Sequence, residues 1–185
     1  MSELILVLFS IDVFILLILL FGVSWSVVVP GKRVWPPPGK SSWQYRISWI
    51  LFYMVFGINF LLIIFDWNSW LFTSNLRWIP GVPLISLGFL LLFWGIHTLG
   101  TKNTSGIKDG FILAGPYRFT RNPQYVGDMV LFVGLSIISN SLYLWIAHLL
   151  LILVFVVTPL AEEIWLEERY GESYLVYKKA TARFL

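Results

Sequence analysis

Between Gly115 and Gly127 the chain reads Gly-Pro-Tyr-Arg-Phe-Thr-Arg-Asn-Pro-Gln-Tyr-Val-Gly, its densest run of residues able to do chemistry. Gly115-Pro116 is a turn dipeptide. Pro123 suits the first turn of a helix, where its missing N–H would be unpaired anyway. A helix start offers free N–H groups and the positive end of the helix dipole, so it attracts anions. Arg118 and Arg121 add guanidinium groups that grip a carboxylate or phosphate with paired bonds. The same arginines would equally anchor a membrane-facing end against anionic head groups. A second cluster, Glu162-Glu163, follows a long apolar stretch. Acids near hydrocarbon are costly and normally pair or bind something. Two acids brought level with two arginines form salt bridges, or they bind a zwitterion whose carboxylate meets the arginines and whose ammonium meets a glutamate.

The elements that must position these residues are membrane helices. Hydrophobic residues make up 58% of the 185-residue chain and charged residues 12%, about half the share in soluble domains. Apolar segments run over residues 4–29, 47–65, 80–99, 123–139 and 142–160. The reading is therefore an all-α integral membrane protein with five transmembrane helices, in a single membrane domain spanning 1–185. Glu3 at the start, the length of the first apolar run and the lack of a small-residue cleavage site argue against a cleavable signal peptide. With the N-terminus outside, twelve basic residues, including Lys108, fall on the inner side and only Arg77 outside. This bias places the C-terminus in the cytoplasm. The chain has no cysteine, and its two histidines, His97 and His148, are far apart. Neither a disulfide framework nor a metal site is expected, and no nucleic-acid partner.

Spans four and five, joined at Asn140-Ser141, form a helical hairpin whose open ends near Pro123 and Glu162 face the cytoplasm. Gly88 and Gly95 in span three, and Gly127 and Gly134 in span four, are each seven apart. Each pair marks a face that a neighbouring helix can approach closely. Residues 162–180 read as an amphipathic cytoplasmic helix lying at the membrane surface, broken at Tyr170-Gly171. Pro159 should kink the helix before it.

The ordered set Gly115-Pro116-Tyr117, Arg121-Asn122-Pro123-Gln124-Tyr125-Val126-Gly127, a hydrophobic hairpin, Glu162-Glu163-x-x-Leu166, Tyr170-Gly171-x-x-Tyr174-x-x-Tyr177 and Arg183 resembles the isoprenylcysteine carboxyl methyltransferase family, which is akin to phospholipid N-methyltransferases. The resemblance covers residues 100–185. Residues 1–99 would be the variable half that shapes the acceptor site. It implies S-adenosylmethionine bound on the cytoplasmic side, and the methionine part of that molecule is the zwitterion described above. It implies a cofactor site of Gly115, Tyr117, Arg118, Arg121, Asn122, Pro123, Tyr125, Gly127, Glu162 and Glu163, with Arg121 and Glu163 catalytic. Many members carry His where this chain has Asn122. Asn donates and accepts hydrogen bonds but takes no proton, so it is read as a binding residue.

The activity expected is methyl transfer to a lipophilic carboxylate or thiol, as an isoprenylcysteine would offer. With no histidine in the motif, Glu163 is the fallback base for an amine acceptor. The alternatives are a phospholipid N-methyltransferase, an NADPH-dependent sterol-reductase-like enzyme and a non-enzymatic membrane scaffold. His97, Asp128 and Arg183 are substrate candidates, although His97 reads more readily as structural, and Asp128, read first as lining the pocket, could instead cap and snorkel. Asn59 and His148 read as hydrogen-bonding residues between helices, and Asp12 as an acid near the outer interface.

Overall fold

The computed structural model describes residues 1–71, 74–107 and 109–184. Lys108, counted above among the inner charges, lies outside the described residues. The long helices are α1 (Ser2–Val28), α2 (Trp43–Phe65) and α3 (Trp78–Leu99). After the single turn α4 (Thr101–Thr104) come α5 (Pro123–Ser139), α6 (Leu142–Tyr170) and α7 (Glu172–Ala180). Among the described residues there is no strand, only one isolated parallel bridge between Thr120 and Ala182. Among the described residues, four helices, α1, α2, α3 and α6, are long and apolar enough to cross a membrane. The fifth expected span, α5, is a shorter apolar helix of 17 residues, at the lower end of spanning length. Large apolar side chains such as Phe14, Phe60 and Leu90 point outward, as a lipid-facing surface requires.

The glycine faces meet each other. A Cβ added at Gly88 would lie 2.6 Å from the Leu131 nitrogen and 2.7 Å from the Gly127 carbonyl oxygen. One added at Gly127 would lie 2.6 Å from the Leu92 nitrogen, and one at Gly134 2.9 Å from that of Ile85. Only glycine lets α3 and α5 touch backbone to backbone. Gly81, seven residues before Gly88, extends the row against Ile138. On the other side, α1 packs along α6 and α2. Leu16, Val55, Leu62, Leu144, Leu151 and Val154 are buried there.

Buried polar groups pair across helices, as they must where water is absent. Asn59 donates to Asp12 at 3.0 Å, so Asp12, 0% exposed, is sunk in the α1–α2 contact. The His148 Nδ1 and Ser136 hydroxyl are 2.7 Å apart between α6 and α5. The hairpin turns at Asn140, in the left-handed region at φ 48°, which Asn tolerates. The Ser141 hydroxyl caps α6 by accepting from the Leu144 N–H. The segment after α2 is bonded to this tip, the Asn68 and Trp70 N–H groups donating to the carbonyls of Ser139 and Asn140. As expected, the helix breaks at Gly171, whose φ of 53° suits glycine. Up to that point α6 is one helix through Pro159, longer than the apolar segment from which it was read.

Gly88→Val should destabilise the protein by about 2 kcal/mol or more, since backbone atoms of α5 would have to move. Gly57→Ala, with nothing within 4 Å of its Cβ, should be neutral or slightly stabilising. Thermal unfolding in detergent checks both.

Candidate functional site

The two arginine and glutamate clusters come together as a buried charge knot. Glu163 is 4% exposed. Its Oε1 accepts from Arg121 Nη2 at 2.7 Å and from Arg183 Nε at 2.8 Å. Its Oε2 accepts from Arg183 Nη2 at 2.9 Å, with Lys178 Nζ 3.4 Å away. Three cations around one buried carboxylate keep it ionised and fixed. Arg121 also donates through Nη1 to the carbonyls of Lys178 and Thr181, and its backbone N–H donates to that of Ala182 at 2.9 Å. The Asn122 amide and the Thr120 hydroxyl both donate to the Arg183 carbonyl, at 2.9 and 3.1 Å. The start of α5 thus holds the C-terminal segment as a clamp. Arg183 is tied to Glu163 so strongly that its guanidinium is pushed further above its usual range. The Lys178 ammonium is likewise raised, first by its bond to Glu167.

Glu162 faces elsewhere. Neighbours on a helix point about 100° apart. Its Oε1 accepts from the Trp35 indole N–H and the Tyr125 hydroxyl, both at 2.7 Å. Its Oε2 accepts no bond from the described residues. The carboxylate lines a cavity of about 120 Å³ roofed by the fold-back of α7. Aromatic rings form one wall. Phe111 stacks on Tyr170 at 4.8 Å and lies 6.0 Å from Tyr174 and 5.8 Å from Tyr177. Asn103, Thr104 and Gln124 form a polar wall. The Gln124 amide donates to the Tyr117 hydroxyl at 2.8 Å and to Thr104 at 3.1 Å. The Tyr177 hydroxyl donates to the Tyr117 carbonyl at 2.6 Å. Burial raises the phenols of Tyr117 and Tyr174 and pushes Tyr177 up to about 12, so all three remain protonated at neutral pH.

Of the residues read from the sequence, Tyr117, Arg121, Asn122, Tyr125, Glu162 and Glu163 line this cavity. Arg183 joins it through Glu163. Gly115, at φ 56°, lets its loop close on α3, where a Cβ would lie 2.7 Å from the Thr98 hydroxyl. Pro123 starts α5, and Gly127 serves the α3–α5 contact. Arg118 and His97 are exposed, and neither they nor Asp128 line the cavity. Sequence reasoning missed Trp35 and Phe111, which sit in connecting segments outside any motif. The Pro36-Pro37-Pro38 run beside Trp35 was the available signal, because it stiffens the loop that presents the indole.

A family model for phospholipid methyltransferases matches residues 76–173. The chain belongs to the phospholipid methyltransferase family. The match extends from the end of the α2–α3 connection into α7, and it falls on the phospholipid alternative and not on the isoprenylcysteine reading. The chain is similar to "Phosphatidylethanolamine N-methyltransferase B" of Dictyostelium discoideum, 28% identical over 114 residues, which are 55% of this chain and 57% of that protein. The chain thus spans little more than half the length of that relative. No solved structure matches it significantly.

Breaking the knot should free the tail. Arg121→Ala should cost about 3–5 kcal/mol, because it strips a cation from a buried carboxylate. It should also speed proteolytic clipping within 172–184 in limited-digestion assays. Arg118→Ala, at an exposed position, should leave the cleavage pattern unchanged.

Proposed function

We propose that this phospholipid methyltransferase family member transfers methyl groups from S-adenosylmethionine to the amine of a phospholipid head group at the cytoplasmic membrane interface. In this reading the N-terminus lies outside and the C-terminus in the cytoplasm, as the basic-residue bias requires. The observation that carries the proposal is Glu162, bonded among the described residues through Oε1 alone, lining a cavity together with Phe111, Tyr170, Tyr174 and Tyr177. A carboxylate among electron-rich ring faces suits cationic ligands, and the methyl donor and the acceptor are both cations. The donor also carries an aromatic base, which Phe111 and the tyrosines can stack.

S-adenosylmethionine, when bound, supplies a methyl group activated by its sulfonium. The chain supplies position and a proton acceptor. Glu163 is held by Arg121, Arg183 and Lys178, so it acts as a strut that shapes the cavity. Glu162 is the proposed base. Its Oε2 would take a proton from the acceptor's ammonium, freeing the nitrogen lone pair for the methyl group that bound S-adenosylmethionine would supply. The proton then passes to water at the cavity mouth. Trp35 and Tyr125 hold the carboxylate through Oε1. Methyl transfer is an alignment problem first, and this rigidity answers it.

The test is transfer of labelled methyl from S-adenosylmethionine into dioleoyl phosphatidylethanolamine in reconstituted vesicles. Wild type should transfer label to the lipid. Glu162→Gln, which keeps shape and loses the base, should lower kcat about 100-fold or more with little change in affinity for S-adenosylhomocysteine. Unlabelled lipid with wild type, or full activity in Glu162→Gln, would refute the reading.

A further inference from the structure

A second cavity of about 400 Å³ lies between α1, α2 and α6, and its lining is almost wholly apolar. Its rim carries exposed rings and aliphatic groups, Phe21, Trp25, Trp43 and Ile47, on the lipid-facing surface. Its floor is the buried Leu19, Val23, Trp35 and Thr158. Tyr125 lines both this groove and the polar cavity. Trp35 lines the groove and reaches Glu162 of the polar cavity through its indole N–H. The Trp35–Glu162–Tyr125 hydrogen bonds therefore link the linings of the two spaces. The backbone fixes that link, because the Ser26 hydroxyl of α1 accepts from the N–H groups of Val34 and Trp35 at 2.9 and 3.1 Å. Nearly all of the groove, and Trp35 itself, lie outside the residues matched by the family model.

We infer that this groove holds an acyl chain of the phospholipid acceptor, and that Trp35 is a positioning residue setting where the head group crosses into the polar cavity. The occupant follows from three observations. Exposed apolar side chains rim the groove, its lining offers almost nothing to a polar ligand, and two of its lining residues, Trp35 and Tyr125, donate to the carboxylate proposed as base. An amine joined to a long hydrocarbon chain satisfies all three, whereas a water-soluble amine would leave the groove unused. Chain burial would supply binding energy away from the reacting nitrogen, which the site can use for alignment. The α1–α2 half of the chain thereby selects the acceptor and the α5–α7 half binds the donor. This inference rests on the function proposed above.

The test compares dioleoyl and dihexanoyl phosphatidylethanolamine as acceptors. A Cβ at Gly22 meets only Val34, at 3.8 Å, so Gly22→Leu fills the groove without displacing backbone. It should raise KM for the dioleoyl lipid at least tenfold more than for the dihexanoyl lipid. Trp35→Phe keeps a ring and loses the N–H. It should lower kcat at least tenfold on both lipids and shift KM little. Gly57→Leu, with open space around Gly57, is the control and should match wild type on both. A phosphatidylethanolamine with a diazirine at its acyl terminus should label Leu19, Val23 or Leu51, and Gly22→Leu should suppress that labelling. Equal effects of Gly22→Leu on the two lipids, or labelling spread over the outer face of α3, would overturn the groove assignment. If wild type methylates neither lipid, the function proposed above fails, and the labelling pattern alone still decides the groove.

Discussion

A carboxylate removed from water has to be paired with cations, hydrogen-bonded or protonated, and pairing with cations is the solution that keeps it charged. Glu163 is such a group, and satisfying it organises the inner end of the molecule. The cations come from three places in the chain: Arg121 before α5, Lys178 on α7 and Arg183 in the terminal segment. None of these is near Glu163 in sequence. Their convergence pulls the tail back over the hairpin mouth, and the fold-back of α7 is what encloses the aromatic cavity. The knot therefore closes the cavity, with its charges paired to one another.

Glu162 illustrates how one helical step separates two roles. It adjoins Glu163, yet it points away from the arginines into a space shared with Trp35 and Tyr125. Two neutral donors on one oxygen orient the carboxylate without quenching the other oxygen. This orientation depends on α1 and its loop as much as on the hairpin. The hairpin in turn depends on the glycine contact between α3 and α5, which sets the level of Asn122 and Tyr125 against α3. Membrane helices lack a hydrophobic force between them, so close backbone contact and buried polar pairs such as Asn59–Asp12 and Ser136–His148 carry the association.

Much of this was legible in the sequence because membrane helices are written as long apolar runs. The hairpin, the glycine faces and the break at Gly171 follow from segment length, seven-residue spacing and a turn residue. The meeting of Arg121 with Glu163 followed from topology, since both lie at the open end of one hairpin. Less legible was how each group would spend its hydrogen bonds. Arg118 and Arg121 are three residues apart and looked equivalent, but Arg118 is exposed and Arg121 is bound to the tail. Asp128 neighbours the motif in sequence and His97 sits in the last turn of α3, but neither lines the cavity. Trp35 lies far from the motif and reaches Glu162 across a stretch of more than one hundred residues, a contact that no local pattern encodes. The acceptor is likewise less legible, since the sequence reading leans towards an isoprenylcysteine carboxylate. The short motif at residues 115–127 is compatible with both acceptor classes, and the family match over residues 76–173 favours the phospholipid.

The central claim is that the aromatic cavity beside Glu162 binds the methyl donor. Calorimetric titration of S-adenosylhomocysteine into the detergent-purified chain tests it most directly, with NADPH as the control ligand and Phe111→Ala as the cavity variant. The account predicts saturable binding of S-adenosylhomocysteine, at least tenfold weaker in Phe111→Ala, and no heat from NADPH. Saturable binding of NADPH with none of S-adenosylhomocysteine would contradict it.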